Sequence, residues 1–82
     1  MTYTERLLAI VDQFCARSGM TREQVSYQVF RDQRRIARVA DGKASITVRL
    51  LDSLLIWLSE NWPADTDWPG YFDRPLSQQV AQ

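Results

Sequence analysis

The segment Thr47–Asn61 constrains the fold more than any other part of the chain. It carries Leu50, Leu51, Leu54, Leu55, Trp57 and Leu58, which leave little polar face, with Arg49, Asp52, Ser53 and Glu60 as the exposed remainder. The apolar residues recur at three- and four-residue spacing, the period of a helix. A helix this apolar has to be central to a core, lie in a dimer contact, or both. Thr47 or Ser45 caps its start. Trp62-Pro63 ends it, because the residue before proline is pushed out of helical conformation.

Three further helices are predicted upstream. The first runs from about Thr4 to Arg17, capped by Thr4, with Leu7, Leu8, Val11, Phe14 and Cys15 on one stripe and Ile10 widening it. Ser18-Gly19 ends it, since glycine tolerates the left-handed conformation at a helix C-terminus. The second begins near Thr21, where Thr21-Arg22-Glu23-Gln24 is a capping-box pattern and Met20 is placed to staple onto Val25. Val25 and Val29 face inward, with Phe30 widening that face. The third spans residues 33–41, with Asp32 as N-cap, Ile36 and Val39 inward, Ala40 alongside, and Asp41-Gly42 as the stop. Its outward residues are Gln33, Arg34, Arg35, Ala37, Arg38 and Asp41.

Beyond Pro63 the breakers Pro69, Gly70 and Pro75 alternate with Trp68, Tyr71 and Phe72. That is too aromatic for a solvated tail, so an ordered but irregular segment is expected up to about residue 75, with residues 76–82 fraying. The expected architecture is all-α: one small domain of four to five helices over residues 1–75, with an irregular aromatic C-terminal segment.

Composition removes several function classes. At 82 residues and 45% apolar, the chain suits one globular domain with one core. No apolar run approaches the roughly 18 residues of a membrane span. The start, Met1-Thr2-Tyr3-Thr4-Glu5, lacks the basic segment and apolar core of a secretory signal, so a cytoplasmic location is expected. Cys15 is the single cysteine and there is no histidine. No intramolecular disulfide forms, no metal site of the usual Cys/His kind is expected, and the commonest acid–base catalyst is missing. Cys15 sits among Val11, Phe14 and Ala16, where a small apolar side chain packs well. Neither a catalytic constellation nor a cofactor is expected.

The charge is polarised. Net charge is zero, yet residues 17–49 hold eight basic residues against three acids, a net +5. Residues 50–82 hold five acids against Arg74, a net −4. A basic middle with an acidic end presents one surface to a polyanion and turns another away. The predicted third helix lies in that middle and is narrow enough for a major groove. Gln33, Arg34 and Arg38 are the candidates for base edges: Gln33 suits a bidentate contact to adenine, and Arg34 and Arg38 share a face four residues apart. Arg31, Arg35, Lys43 and Arg49 are the candidates for phosphate contacts.

The stretch from Thr21 to Leu58, with the helix of residues 4–17 before it, resembles the phage-repressor-like helix-turn-helix superfamily, the group of the lambda repressor and Cro DNA-binding domains. Ile36 to Lys43 is similar to the end of that family's recognition helix and its glycine turn, and Thr47 to Leu58 to the helix that follows. The chain is more closely similar to small bacterial proteins of this type ending in an Asn-Trp-Pro segment, here Asn61-Trp62-Pro63. The resemblance implies a regulator that binds double-stranded DNA, acting as a repressor. One departure stands out, for the family's turn usually carries a glycine and none occurs in Val29-Phe30-Arg31-Asp32. With Ile36 and Val39 inward, that glycine falls at Phe30. A turn shorter by one residue puts it at Arg31 and keeps Phe30 inward, which suits a large apolar side chain better.

Two partner expectations follow. Leu55, Trp57, Leu58, Trp62, Trp68, Tyr71 and Phe72 exceed what the thin inner faces of the second and third helices need, and they are assigned to a homodimer contact matching a palindromic site. The alternative is a protein-interaction module, in which the acidic aromatic end around Asp65, Asp67, Trp68, Tyr71 and Phe72 holds a partner protein.

Overall fold

A computed structural model describes residues 2–75 of the chain; the expectation for residues 76–82 lies outside the described residues. Among those described there are four helices and no strand: α1 (Tyr3–Ser18), α2 (Arg22–Phe30), α3 (Arg35–Ala40) and α4 (Val48–Asn61). An irregular segment follows, from Trp62 to Pro75.

Helix α1 starts earlier than its apolar stripe suggested. Thr2, not Thr4, is the N-cap: its hydroxyl accepts from the Glu5 amide at 3.1 Å, and the Glu5 carboxylate accepts from the Thr2 amide at 2.7 Å. Capping from Thr4 would place Leu7 at the reciprocal position, and leucine has no acceptor. Leu7, Ile10, Val11 and Phe14 are buried, while Leu8 and Cys15 are half-buried against the same core. Gly19 closes the helix at φ +81°, its amide donating to the Cys15 carbonyl at 3.0 Å. Burial first, then the nearby Asp12 carboxylate, pushes the Cys15 thiol up from its ordinary pKa, so it stays protonated and packs as an apolar group.

Helix α2 has the expected capping box, with the Thr21 hydroxyl on the Gln24 amide at 3.1 Å and the Gln24 side chain on the Thr21 amide at 2.9 Å. Helix α4 is capped by Thr47, whose hydroxyl takes the Leu50 amide at 3.2 Å. It runs through the middle of the core as its composition requires: Leu54, Leu55 and Leu58 are buried against Leu7, Ile10, Val11 and Phe14 of α1, Val25 of α2 and Ile36 of α3. Trp62 leaves the helix in extended conformation ahead of Pro63.

The aromatic segment folds back over α1 and α4. Trp62 is buried, its indole N–H donating to the Thr66 carbonyl at 2.9 Å. Its ring lies 5.8 Å from Phe14 and 4.9 Å from Trp68. The Trp68 indole donates to the Phe72 carbonyl at 2.7 Å, and Arg74 lies over Trp68 while bonding to the Ser59 carbonyl at 2.8 Å. This segment completes the core of a chain near the lower size limit for one. Trp62→Ala is therefore expected to cost about 3–5 kcal/mol of unfolding free energy in urea titrations. Trp62→Phe, which keeps most of the ring and loses the N–H, is expected to cost clearly less.

Candidate nucleic-acid interface

The turn between α2 and α3 is built by Ser26, Arg31 and Asp32. Arg31 ends α2 in the left-handed region at φ +58°, the one non-glycine residue among those described with a positive φ. Its amide closes on the Tyr27 carbonyl at 2.8 Å, and its guanidinium lies 5.6 Å from the centre of the Tyr27 ring. The left-handed residue of this turn is thus Arg31 rather than Phe30, and Phe30 stays half-buried against the core.

Asp32 does not cap the third helix as expected, and that helix is shorter than residues 33–41. Residues 33 and 34 form a turn, and α3 proper begins at Arg35, with Arg34 at its N-cap making no side-chain cap bond. The cap comes instead from another helix. The fully buried Ser26 of α2 donates its hydroxyl to the Asp32 carbonyl and accepts from the Ile36 amide at 3.2 Å. One side chain thereby satisfies both a turn carbonyl and an amide in the first turn of α3. Sequence reasoning passed over Ser26. The available signal was its phase: it lies beside Val25 and three residues before Val29, inside the apolar stripe of α2, where a small hydroxyl must find a partner.

The Asp32 carboxylate accepts from the Arg34 amide at 2.9 Å. It also takes a guanidinium N–H of Arg38 and lies 3.6 Å from Arg35 Nε. The amide first, then the two guanidiniums, hold this carboxyl below its ordinary value.

At its far end α3 closes in a Schellman arrangement. The Lys43 amide donates to the Arg38 carbonyl at 2.8 Å and the Gly42 amide to the Val39 carbonyl at 3.1 Å. Gly42 supplies the required positive φ, +76°. This fixes Lys43 immediately beside the exposed face of α3.

The two ends bring most of the expected residues together. Gln33, Arg34, Arg38 and Lys43 line one open depression of ≈ 590 Å³ together with Ala37, Glu23 and Asp41. Gln33 and Glu23 also border a second depression of ≈ 300 Å³ with Met20, Gln24, Tyr27 and Gln28. Arg31, Arg35 and Arg49 lie outside the larger depression. Arg31 stacks on Tyr27, Arg35 lies 5.8 Å from the Phe30 ring, and Arg49 is exposed on the first turn of α4. Arg34, Lys43 and Arg49 have no ion-pair partner among the described residues.

The residues assigned to a dimer contact pack within the chain itself. Leu55, Leu58 and Trp62 are 6%, 0% and 7% exposed, and Trp57, Trp68, Tyr71 and Phe72 are half-buried against the same core. Packing of the folded-back segment takes up part of the apolar surplus read from the sequence. No family model matches the chain, and no curated protein or solved structure is significantly similar to it.

Two measurements check this geometry. Ser26→Ala leaves a buried amide and a turn carbonyl without their partner, and is expected to destabilise by about 1–3 kcal/mol. Its hydrogen-exchange protection should fall first at Ile36. Carboxyl NMR titration should place Asp32 below the roughly 3.9 of a free aspartate, and Arg38→Gln should raise it. Because the folded value is the lower one, the stabilisation is complete above the unfolded value and is lost as pH falls through the folded value.

Proposed function

We propose that the chain is a helix-turn-helix regulator of the phage-repressor-like kind, binding double-stranded DNA with α3 and its flanking turns in the major groove. The observation that carries this reading is the exposed face of α3. A short helix, with turns held at both ends, presents Gln33, Arg34, Ala37, Arg38 and Lys43 around one open depression. A helix end carrying an amide, a methyl and several cations has the chemistry that base edges and phosphates require. Arg31 adds support: it adopts the left-handed conformation where a glycine stands in the turn of that family.

Gln33 and Arg34 are the readers of base edges in this proposal, and Arg31, Lys43 and Arg49 the contacts to phosphate. Arg35 and Arg38 reach DNA only by exchanging the Asp32 carboxylate for it. Repression by occupancy of a palindromic site, with two chains per site, belongs to the same reading. The contact between copies then falls to surface other than the buried Leu55, Leu58 and Trp62. The acidic aromatic end is the weaker candidate for a partner protein, because its indoles already bond within the chain.

Anisotropy titrations against genomic duplex fragments test the proposal. Binding is expected at micromolar protein in low salt, with log K falling linearly against log salt. Gln33→Ala and Arg34→Ala should each cost ~1–3 kcal/mol on the preferred duplex and little on random sequence. Lys43→Ala should weaken all duplexes alike and reduce the salt slope by about 0.9. Arg31→Gly should do the same while leaving the protein as stable or more so, since glycine relieves a left-handed strain of order 1 kcal/mol. No binding at low salt, or equal losses on both duplexes for the Gln33 and Arg34 variants, would refute the assignment.

A further inference from the structure

The cations around α3 are not equally available. Arg34 and Lys43 line the depression without an ion-pair partner among the described residues, whereas Arg38 lines it bonded to Asp32, and Arg35 shares the same carboxylate. Asp32 is held for this by its other oxygen, which the Arg34 amide fixes at 2.9 Å. The Arg38 side chain is 47% exposed and that of Asp32 29%, so the pair faces solvent where a phosphate would approach.

From this we infer that Asp32 restrains duplex binding: its carboxylate withholds the Arg35 and Arg38 guanidiniums from phosphate, so that they engage DNA only where neighbouring contacts already fit. The inference rests on the DNA reading above. A phosphate approaching Arg38 must displace a charge-assisted hydrogen bond and come close to a like charge. An exposed ion pair is weak enough to be displaced. On arbitrary sequence nothing offsets that displacement. Where Gln33 and Arg34 meet matching base edges, their contacts offset it, and the two arginines then add to the complex. Asp32 thereby lowers affinity for random DNA more than affinity for the preferred site.

Asp32→Asn is the direct test, because asparagine keeps the oxygen that receives the Arg34 amide and removes the charge. Binding is measured by anisotropy across a salt series on two duplexes: one of random sequence, and the tightest one the wild-type chain selects from genomic fragments. The random duplex should bind roughly five-fold tighter. Its salt slope should steepen by about 0.9–1.8, one or two added phosphate contacts, and the ratio between the two duplexes should fall. An unchanged slope overturns the inference. So does a loss confined to the selected duplex, which would make Asp32 a residue that orients Arg38 for reading. Should Asp32→Asn fail to fold, Arg38→Gln and Lys43→Gln in the wild-type background decide, Lys43 being a phosphate contact in this reading and without an ion-pair partner among the described residues. On the random duplex the first should change the slope far less than the second, and equal changes overturn the inference. If the wild-type chain binds neither duplex, the DNA reading itself fails and the inference falls with it. If the wild type binds and the Asp32→Asn slope is unchanged, the DNA reading stands and only the inference falls.

Discussion

The Ser26 hydroxyl joins α2 to α3 by two hydrogen bonds of opposite sense, donating to the carbonyl of Asp32 and accepting from the amide of Ile36. Much of the geometry of the candidate site depends on this pair. Helix α3 spans only Arg35–Ala40 and has no side-chain cap of its own, so it is far too short to persist alone in water. Ser26 fixes where its first turn begins, and Ile36 and Val39 hold its inner face to the core. The direction in which Gln33 and Arg34 project is therefore set from α2, through a side chain that touches no solvent.

A second set of constraints acts at the opposite pole of the charge distribution. The acidic end is the ordered, irregular segment that its aromatic content called for. Its indole N–H groups close on carbonyls of the same segment, and Arg74 ties the segment to Ser59 of α4. Apolar surface that would otherwise favour self-association is removed from water within one chain. The exposed large apolar residues that remain, Tyr3, Tyr27, Val48 and Ile56, are scattered over α1, α2 and α4.

Much of the fold was legible because it rests on local rules. The capping box at Thr21, the glycines at 19 and 42, the proline after Trp62 and the leucine stripe of α4 each act within a few residues, and each is where its chemistry put it. The inward choice of Ile36 and Val39, and the placing of the left-handed residue at Arg31, followed from burial alone. What was not legible is long-range. Ser26 serves a helix ten residues away, Asp32 holds the Arg34 amide with one oxygen and Arg38, six residues on, with the other, and Trp62 spans from α4 to Phe14 of α1. At the candidate site, four of the residues chosen from the sequence, Gln33, Arg34, Arg38 and Lys43, line one depression, and Arg31, Arg35 and Arg49 lie outside it. The sequence did not separate the cations already engaged by a carboxylate from those that are not, because that distinction depends on rotamers and turns rather than on spacing.

The aromatic packing has a spectroscopic consequence. All three tryptophans of the chain belong to one cluster: Trp57 and Trp62 lie 5.3 Å and 5.8 Å from Phe14, and Trp62 lies 4.9 Å from Trp68. Their emission reports the docking of the C-terminal segment as a single signal. At the α2–α3 turn the aromatic residues are Tyr27 and Phe30. Tyr3 and Tyr71 pack with the aromatic segment, so it is the indoles, not the tyrosines, that distinguish the two ends. A change in indole fluorescence marks an event in the packed tail, whereas a perturbation at α3 that leaves the core intact leaves that signal where it was, so an unlabelled sample tells the two apart.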